Sequence, residues 1–181
     1  MAWMASFKRL WRHLWLDADD VHRVLPPQAL ARLQARVADR ERLHGGEIRV
    51  CVEASLPRSY LWRHWRGGLS VRQVVRERAV MMFGKLRVWD TARNNGVLVY
   101  LLLAERAIEI VADRGLGHVT PAQWQALAAQ MGAAFRAGRY EEGLAAAVDA
   151  VAGHLARTSE SPATGELPRN ELPDVPVIIP R

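Results

Sequence analysis

Helical and strand-like spacings of apolar residues alternate along the chain. Near the N-terminus, apolar residues recur at steps of three and four, which predicts a helix with one apolar face and basic residues around it. That face holds Trp3, Phe7, Leu10, Trp11 and Leu14. Asp17, Asp19 and Asp20 are predicted to end this helix, and Pro26-Pro27 to open a second helix that runs to about Leu43.

Three later segments have the spacing of strands. Residues 47–54 alternate between apolar and polar side chains, residues 97–103 are apolar throughout, and residues 108–112 alternate again. Alternation is typical of a strand, and a continuous apolar run is typical of a strand buried on both faces. Between the first two strands, residues 57–69 are predicted to be a loop, and the capping box Ser70-Val-Arg-Gln73 begins a helix of about four turns.

The order of these elements defines a fold class. A helix between two strands makes the strands parallel, with a right-handed crossover. The short break at Glu105-Arg106 makes the third strand an antiparallel partner of the second. A second capping box, Thr120-Pro-Ala-Gln123, begins the first of two further helices. The prediction is an α/β protein, a three-layer α/β/α sandwich with a mixed sheet of three to four strands and helices on both faces.

The chain divides into three parts. Residues 1–23 are the amphipathic N-terminal helix, residues 24–157 are the folded domain, and residues 158–181 are a proline-rich extended tail. The stretch from Val175 to Ile179 is apolar but contains Pro176, which excludes a central strand and allows addition to a sheet edge. We therefore expect the tail to dock along the domain or on a partner.

The charge distribution and the single cysteine indicate the cellular compartment and the kind of surface that the protein could bind. Residues 1–90 carry 17 basic and 9 acidic side chains, a net charge of +8, whereas residues 91–181 carry 8 basic and 10 acidic side chains, a net charge of −2. A basic front half favours an anionic surface or is simply the solvated face of arginine-rich helices. Cys51 is the single cysteine, and the longest apolar run, Val97 to Ala104, is too short to span a bilayer. The sequence predicts a cytoplasmic protein, on a membrane at most peripherally.

Several motifs in combination resemble the TPM domain family, that of the thylakoid-lumen acid phosphatase, a photosystem repair factor and an acetylcholine-receptor modulator. They are Gly-Glu-Ile-Arg-Val (46–50), Asn-Asn-Gly-Val-Leu-Val-Tyr (94–100), residues 106–116, residues 135–144 and the tail 170–179, which is similar to that of a bacterial subfamily of soluble proteins. The resemblance implies an α/β/α sandwich around a four-stranded sheet. It also implies a membrane-linked process beside a LemA-type membrane protein, and it raises the alternative of a phosphatase.

Oxygen-bearing side chains are predicted to gather at one edge of the sheet, where strands one and two begin and strand three ends. They are Glu47, Asp90, Asn94, Asn95 and Asp113. Carboxylate and amide oxygens are ligands that Ca²⁺ accepts, and a bound metal could polarise a phosphoryl group. The competing interpretation is that Asn94-Asn95-Gly96 is turn chemistry and that Asp90 caps a loop. Ca²⁺ is the cofactor that these residues could hold, and weak binding or none is expected.

Other catalytic signatures are absent from the sequence. The arginine that a Cys-x5-Arg phosphatase loop requires is replaced by Pro57, and there is no Walker loop, His-Glu-x-x-His or Gly-x-Ser-x-Gly motif. The opposite edge of the sheet collects Glu53, Ser55 and Glu105-Arg106, which we rank as a second site because ligands often bind beyond the carboxyl ends of parallel strands.

Two segments resemble each other, Trp11-Arg-His-Leu-Trp15 and Trp62-Arg-His-Trp-Arg66. Tryptophan with arginine is a membrane-interface composition and also suits stacking on single-stranded nucleic acid. No RNA-binding fold signature accompanies them, so an anionic lipid surface or a protein is favoured and no nucleic acid is expected. The predicted membrane-binding residues are Trp3, Phe7, Trp11, Arg12, Trp15, Trp62, Trp65 and Arg66. The resulting hypothesis is a non-enzymatic interaction protein, peripheral at the cytoplasmic membrane; the alternative is a low-specificity phosphatase dependent on Ca²⁺ or Mg²⁺.

Overall fold

The described part of the chain contains six α-helices and four strands, together with two short 3₁₀ helices, Leu103–Glu105 and Arg114–Leu116. The computed structural model describes residue 13 and residues 15–157 and 170–180. The helices are α1 (Ala18–Val24), α2 (Pro27–His44), α3 (Arg58–Gly67), α4 (Val71–Lys85), α5 (Pro121–Arg136) and α6 (Tyr140–Ala156). The strands are β1 (Glu47–Glu53), β2 (Gly96–Leu102), β3 (Ala107–Ala112) and β4 (Val177–Ile179).

The strands form one mixed sheet in the order β3-β2-β1-β4. β1 and β2 are parallel over seven residue pairs, from Glu47 opposite Gly96 to Glu53 opposite Leu102, and β2 and β3 are antiparallel. These two pairings confirm the predictions made from the connections. The fourth strand comes from the tail: β4 pairs in parallel with β1, with Val52 opposite Ile178. The expectation that the tail docks along the domain is therefore confirmed for this segment.

Alternate side chains of the strands build two cores, one on each face of the sheet. On the first face Ile48, Val50 and Val52 pack with α1, α2, α5 and α6. On the second face Cys51, Leu98 and Tyr100 pack with α4, and residues of α3 lie against the margin of this core. The arrangement confirms the α/β/α sandwich, because each face of the sheet is covered by helices.

One sequence prediction about local structure is incomplete and another is wrong. Residues 13 and 15 are helical and residues 16 and 17 are not, so a helical segment ends just before Asp17, as predicted. The same aspartate also begins a short helix that was not predicted: the Asp17 carboxylate accepts hydrogen bonds from the backbone N–H groups of Asp19 (2.9 Å) and Asp20 (3.3 Å), which makes it the N-cap of α1. Residues 57–69 are not a loop, because they contain helix α3, which follows Pro57 and ends before Gly68 in the left-handed conformation (φ 64°). Acidic residues favour a helix start as strongly as they disfavour a helix end.

The helices have no transmembrane candidate among them. Within the described residues, no helix combines the length and apolar composition that crossing a bilayer requires.

The remaining predictions for helix starts are confirmed: Ser70 and Thr120 each accept a hydrogen bond from the backbone three residues later, so that both capping boxes are formed.

Candidate functional site

The amino end of the sheet holds the predicted cation residues. Glu47 and Gly96 lie opposite each other where β1 and β2 begin, and the N–H group of Asp113 donates to the carbonyl of Gly96 (3.0 Å) where β3 ends. Asn95 directly precedes Gly96. The topology therefore brings the backbones of Glu47, Asn95 and Asp113 to one edge, as the sequence analysis expected.

Glu47 is occupied by the tail. Its side chain is buried, and its two carboxylate oxygens accept hydrogen bonds from the backbone N–H groups of Glu171 (3.0 Å) and Leu172 (2.9 Å). Burial raises the pKa of Glu47, and these two N–H groups oppose the rise. Both oxygens that could face a cation thus hold the C-terminal segment instead.

Asp90 and Asn94 are each paired with an arginine. The Asp90 carboxylate lies 2.5 Å from the guanidinium of Arg87 on the exposed surface. The side-chain oxygen of Asn94 accepts a hydrogen bond from Arg114 Nε (3.0 Å), and Asn94 itself turns the chain with a φ of 53°. These contacts are those of a turn, which was the competing interpretation of this segment.

Asn95 and Asp113 each keep one buried oxygen without a hydrogen-bond partner within the described residues, Oδ1 of Asn95 and Oδ2 of Asp113. Asn95 Nδ2 donates to the carbonyl of Gly45 (3.0 Å), and Asp113 Oδ1 accepts from the N–H of Arg114 (2.7 Å). No group of three or more His, Cys, Asp or Glu side chains in the described ranges could hold a metal ion. Glu47, Asp90 and Asn94 are thus engaged with other groups, and a cation site at this edge stays a prediction.

Glu41 is a buried carboxyl group at this edge that the sequence analysis missed. Its Oε1 accepts a hydrogen bond from the N–H of Ile48 (2.6 Å), and burial raises its pKa to about 9, helped by the nearby carboxylates of Glu47 and Asp174. A cavity of about 250 Å³ lies beside it, lined in part by Asn170. The spacing could have found it, because Glu41 follows Val37 by four residues on the buried stripe of α2.

The opposite, carboxyl end of the sheet anchors the N-terminal segment. His13 is buried; its Nδ1 accepts a hydrogen bond from the N–H of Leu56 (3.2 Å), so its Nε2 carries the proton and donates to Glu105 (3.0 Å). These two bonds hold residue 13 against Leu56, which lies two residues before the start of α3. Trp15 is 70% exposed beside this anchor. The predicted residues Trp3, Phe7, Trp11 and Arg12 lie outside the described residues.

Helix α3 presents aromatic and basic side chains at the same end, and none of its residues is buried. Trp62 is 51% exposed and Trp65 is 76% exposed, with their rings in an edge-to-face arrangement at 6.1 Å. The Arg66 guanidinium lies 4.7 Å from the centre of the Trp62 ring. An ion pair between Arg63 and Glu77 (2.8 Å) holds α3 on α4. The structure places these predicted residues on a helix, side by side.

The second-ranked residues do not form one site. Glu105 accepts from His13, Arg106 donates to the carbonyl of Arg136 (3.1 Å), and the buried Ser55 Oγ has no hydrogen-bond partner within the described residues.

Glu53 lies in a separate buried network beneath α3. Arg78 donates from Nε to Oε2 of Glu53 (2.8 Å), and the Tyr100 hydroxyl donates to the same oxygen (2.5 Å). All three side chains are buried, and the Arg78 guanidinium also lies 5.4 Å from the centre of the Tyr60 ring of α3. The network joins α3, α4 and the sheet. Its groups are already paired with one another, as buried charges must be.

Comparisons with known proteins locate the chain among relatives. The family model for the TPM domain matches residues 19–154. The solution structure of the BA42 protein from the psychrophilic bacterium Bizionia argentinensis is similar, with a TM-score of 0.67 and 22% identity over 86% of this chain and 95% of that one. The N-terminal domain of a P. gingivalis protein aligns with a TM-score of 0.37 and 22% identity over 74% of this chain and 94% of that one. Among curated proteins, none matches this sequence.

Proposed function

The chain belongs to the TPM domain family, and we propose that it is a non-enzymatic interaction module that binds peripherally to an anionic membrane surface on the cytoplasmic side. The observation that carries this proposal is α3, a helix with no buried residue and with two exposed tryptophans beside three arginines and no acidic residue. Large exposed apolar side chains that the fold does not use favour an interaction surface.

The chemistry of α3 suits the boundary between lipid headgroups and acyl chains. Tryptophan rings are apolar with one polar edge, and they concentrate at membrane–water interfaces. Arginine stems cover apolar surface while the guanidinium reaches phosphate oxygens. The contact between Arg66 and Trp62 keeps both groups on one side of the helix. The same side can thus present aromatic rings to lipid and positive charge to headgroups.

The anchor at His13 supports a second membrane contact next to the first. Because His13 is bonded to Leu56, residue 13 lies beside the start of α3, and the predicted residues Trp11 and Arg12 are within two residues of this point in the chain. Two weak anchors on one side of a domain reinforce each other, whereas a single one gives marginal binding. Each basic residue near an anionic leaflet contributes about 1 kcal/mol, and salt screens this attraction within about 8–10 Å. Binding should therefore be weak, additive and sensitive to salt.

Vesicle sedimentation tests this proposal. We expect the protein to sediment with vesicles of phosphatidylserine and phosphatidylcholine, not with phosphatidylcholine alone, and less so at high salt. The double variant Trp62→Ala/Trp65→Ala should lose most of this binding. Trp89→Ala is the matched control, because Trp89 is also about half exposed (49%) but does not belong to α3. It follows the C-terminal end of α4, a helix of 15 residues about 22 Å long, whereas α3 precedes the other end of that helix. Equal sedimentation of both variants, or of both lipid types, would show the proposal to be wrong.

The partner we propose is an integral membrane protein of the LemA type, which the resemblance implies. A membrane-bound α3 would hold the domain next to such a protein, and the two contacts would strengthen each other by local concentration. Co-purification of the two proteins from detergent-solubilised membranes tests this part. A complex that forms with a candidate LemA-type protein and survives dilution supports it, and the absence of co-purification from cells that produce both would contradict it.

A second candidate function is a phosphatase that depends on Ca²⁺ or Mg²⁺. The unpartnered buried oxygens of Asn95 and Asp113 at the amino end of the sheet favour it, since an unsatisfied buried oxygen is costly unless something binds it. If the site exists, millimolar Ca²⁺ raises the melting temperature relative to chelator, and Asp113→Asn removes that rise. Hydrolysis of a phosphate monoester, measured with and without metal and with Asp90→Ala as the exposed control, separates the two candidates. No melting shift and no hydrolysis would eliminate this one.

A further inference from the structure

The C-terminal segment lies along the outer edge of β1. Residues 170–176 run past the amino end of this strand, and β4 then pairs with its second half, with Cys51 opposite Val177 and Glu53 opposite Ile179. The N–H of Ala54 extends the ladder to the carbonyl of Ile179 (3.3 Å). Without this segment, the edge of β1 would present unpaired main-chain groups, which is the kind of surface that binds extended peptides.

Two charged side chains of β1 form hydrogen bonds with main-chain groups of the segment. The Glu47 carboxylate accepts from two consecutive N–H groups, those of Glu171 and Leu172. Two residues further along, the Arg49 guanidinium donates to the carbonyls of Pro173 and Val175. An acceptor for N–H groups followed by a donor for carbonyl groups recognises an extended backbone and fixes its direction.

Side chains of the segment add selectivity. Leu172 is buried in the core of the second face, while Val177 and Ile179 pack half-buried against that core and Ile178 against the other. The Glu171 carboxylate accepts a hydrogen bond from the N–H of Ala92 (2.8 Å). The edge of β1 therefore favours an acidic residue and a leucine at the amino end, followed by β-branched residues.

This segment is held less firmly than the rest of the sheet. β4 pairs over three residues, whereas β1 and β2 pair over seven that are almost all buried. The three residues of β4 are half-buried, Val175 is 54% exposed, and Pro176 and Pro180 lack an N–H donor. Elements with few buried contacts open at the lowest free energy, so the segment should detach before the domain unfolds.

The connection to the domain is far longer than the gap it crosses. Leu155, at the end of α6, contacts Gly46, and Glu171 contacts the neighbouring Glu47. Residues 158–169 are 12 residues, which could span roughly 40 Å when extended. A connection of this length would hold a released segment near its site at an effective concentration on the order of 1 mM, so that the segment could rebind.

We propose that the edge of β1 is a binding groove for an extended peptide and that residues 170–180 are its built-in ligand, which closes the groove to a partner's segment of the same chemistry. That chemistry is an acidic residue and a leucine, followed by a proline-containing β-branched stretch. Release of the tail opens the groove, and an added strand from a partner protein takes its place. This inference does not depend on membrane binding.

Cleavage of the full-length chain in its tether tests the groove. A protease site placed within residues 158–169 allows the folded chain to be cut and then diluted, and a fluorescent peptide of residues 170–181 is titrated into it. We expect saturable binding to the cut protein. Binding to the uncut protein should be weaker by about a hundredfold, because the tethered tail competes with the peptide. This factor is the ratio of the tail's effective concentration, about 1 mM, to a dissociation constant of about 10 µM for the peptide. Glu47→Gln should weaken binding to the cut protein about tenfold, and so should Leu172→Ala in the peptide, which leaves the protein untouched.

Two controls are matched to these variants. A scrambled peptide should not bind the cut protein, and Glu142→Gln, which changes an exposed glutamate of α6, should leave binding of the tail peptide unchanged. Loss of circular dichroism on cutting, or retention of the cut tail through dilution to nanomolar concentration, would show that the segment is a permanent part of the fold. Equal binding by cut and uncut protein, or by the scrambled peptide, would show that the edge is not a selective groove. Each of these outcomes overturns the proposal.

Discussion

Replacing Glu41 with glutamine should change how the stability of the domain depends on pH. Burial raises the pKa of Glu41 to about 9, with the carboxylates of Glu47 and Asp174 adding to the rise. The group is therefore protonated in the folded protein at pH 7 and ionised in the unfolded chain. Glutamine has nearly the shape of the protonated acid, and its oxygen can accept from the N–H of Ile48, as Glu41 does. Asp174 is close enough to raise the Glu41 pKa, and the glutamine amide can donate toward its carboxylate.

The sign and size of the effect follow from proton linkage. Between pH 4.5 and about 9, the folded state holds a proton that the unfolded state has lost, so wild-type stability falls as pH rises through this window. Each pH unit corresponds to about 1.4 kcal/mol for one proton. At pH 7, two and a half units above the ordinary pKa of 4.5, the free energy of unfolding of Glu41→Gln should exceed that of the wild type by about 3 kcal/mol. Near pH 4.5 the difference should vanish.

Urea denaturation followed by circular dichroism at pH 5, 7 and 8.5 measures this difference. Glu142→Gln is the control, since Glu142 is a largely exposed residue of α6 paired with Arg139, and its curve should run parallel to that of the wild type. The gap between wild type and Glu41→Gln should widen at each step in pH. A constant gap, or a Glu41→Gln protein that is less stable than wild type at pH 8.5, would refute the assignment of a neutral buried carboxyl group.

Two further substitutions test the packing around the sheet by the same denaturation assay. Arg78→Ala should cost about 3–5 kcal/mol because it leaves the buried carboxylate of Glu53 unpaired, and Arg78→Ala/Glu53→Gln should recover part of this loss. Gly96→Ala should cost about 1–3 kcal/mol, since a Cβ atom there would lie 2.0 Å from the carbonyl oxygen of Val88; an unchanged midpoint would contradict the close approach of these two backbones.

The central sheet could be predicted from the sequence because its evidence is local. Alternation at 47–54 places Ile48 and Cys51 on opposite faces, and the structure has them in opposite cores. The continuous apolar run of β2 is buried throughout. Chain connections then determine strand direction, since a helical crossover requires parallel strands and a tight break permits antiparallel ones.

Two helices and the origin of the fourth strand could not be predicted in the same way. Helix α3 has apolar residues at helical spacing, because Leu61 and Trp62 precede Trp65 by four and three residues, and Pro57 and Gly68 mark its ends. It was predicted as a loop because arginine and histidine are interleaved with these residues, and none of its side chains is buried in a core. Helix α1 has seven residues, about two turns, which is too short for a period to be established. The tail was predicted to add to an edge, but its parallel pairing with β1 depends on contacts with Glu47 and Arg49 that are more than 120 residues away in sequence.

The candidate site was predictable as a position but not as a set of contacts. Topology alone brings Glu47, Asn95 and Asp113 to one edge. Which of them are occupied depends on partners distant in sequence: the tail for Glu47 and the carbonyl of Gly45 for Asn95. Glu41, by contrast, was missed although its position could have been read from the sequence. A glutamate in a helix is usually exposed, and only its place on the buried stripe of α2 distinguishes it.

Glu47 and the tryptophans of α3 lie at opposite ends of β1, and this separation makes the tests that use them independent. Seven residues of strand, from Glu47 to Glu53, span roughly 20 Å, and substitutions that far apart with no shared partner have additive effects. Glu47→Gln should therefore leave vesicle binding unchanged, and Trp62→Ala/Trp65→Ala should leave binding of the tail peptide unchanged. If either substitution impaired both, the two ends would be coupled through the sheet, and tail release would have to be treated as a regulator of membrane binding rather than as a separate activity.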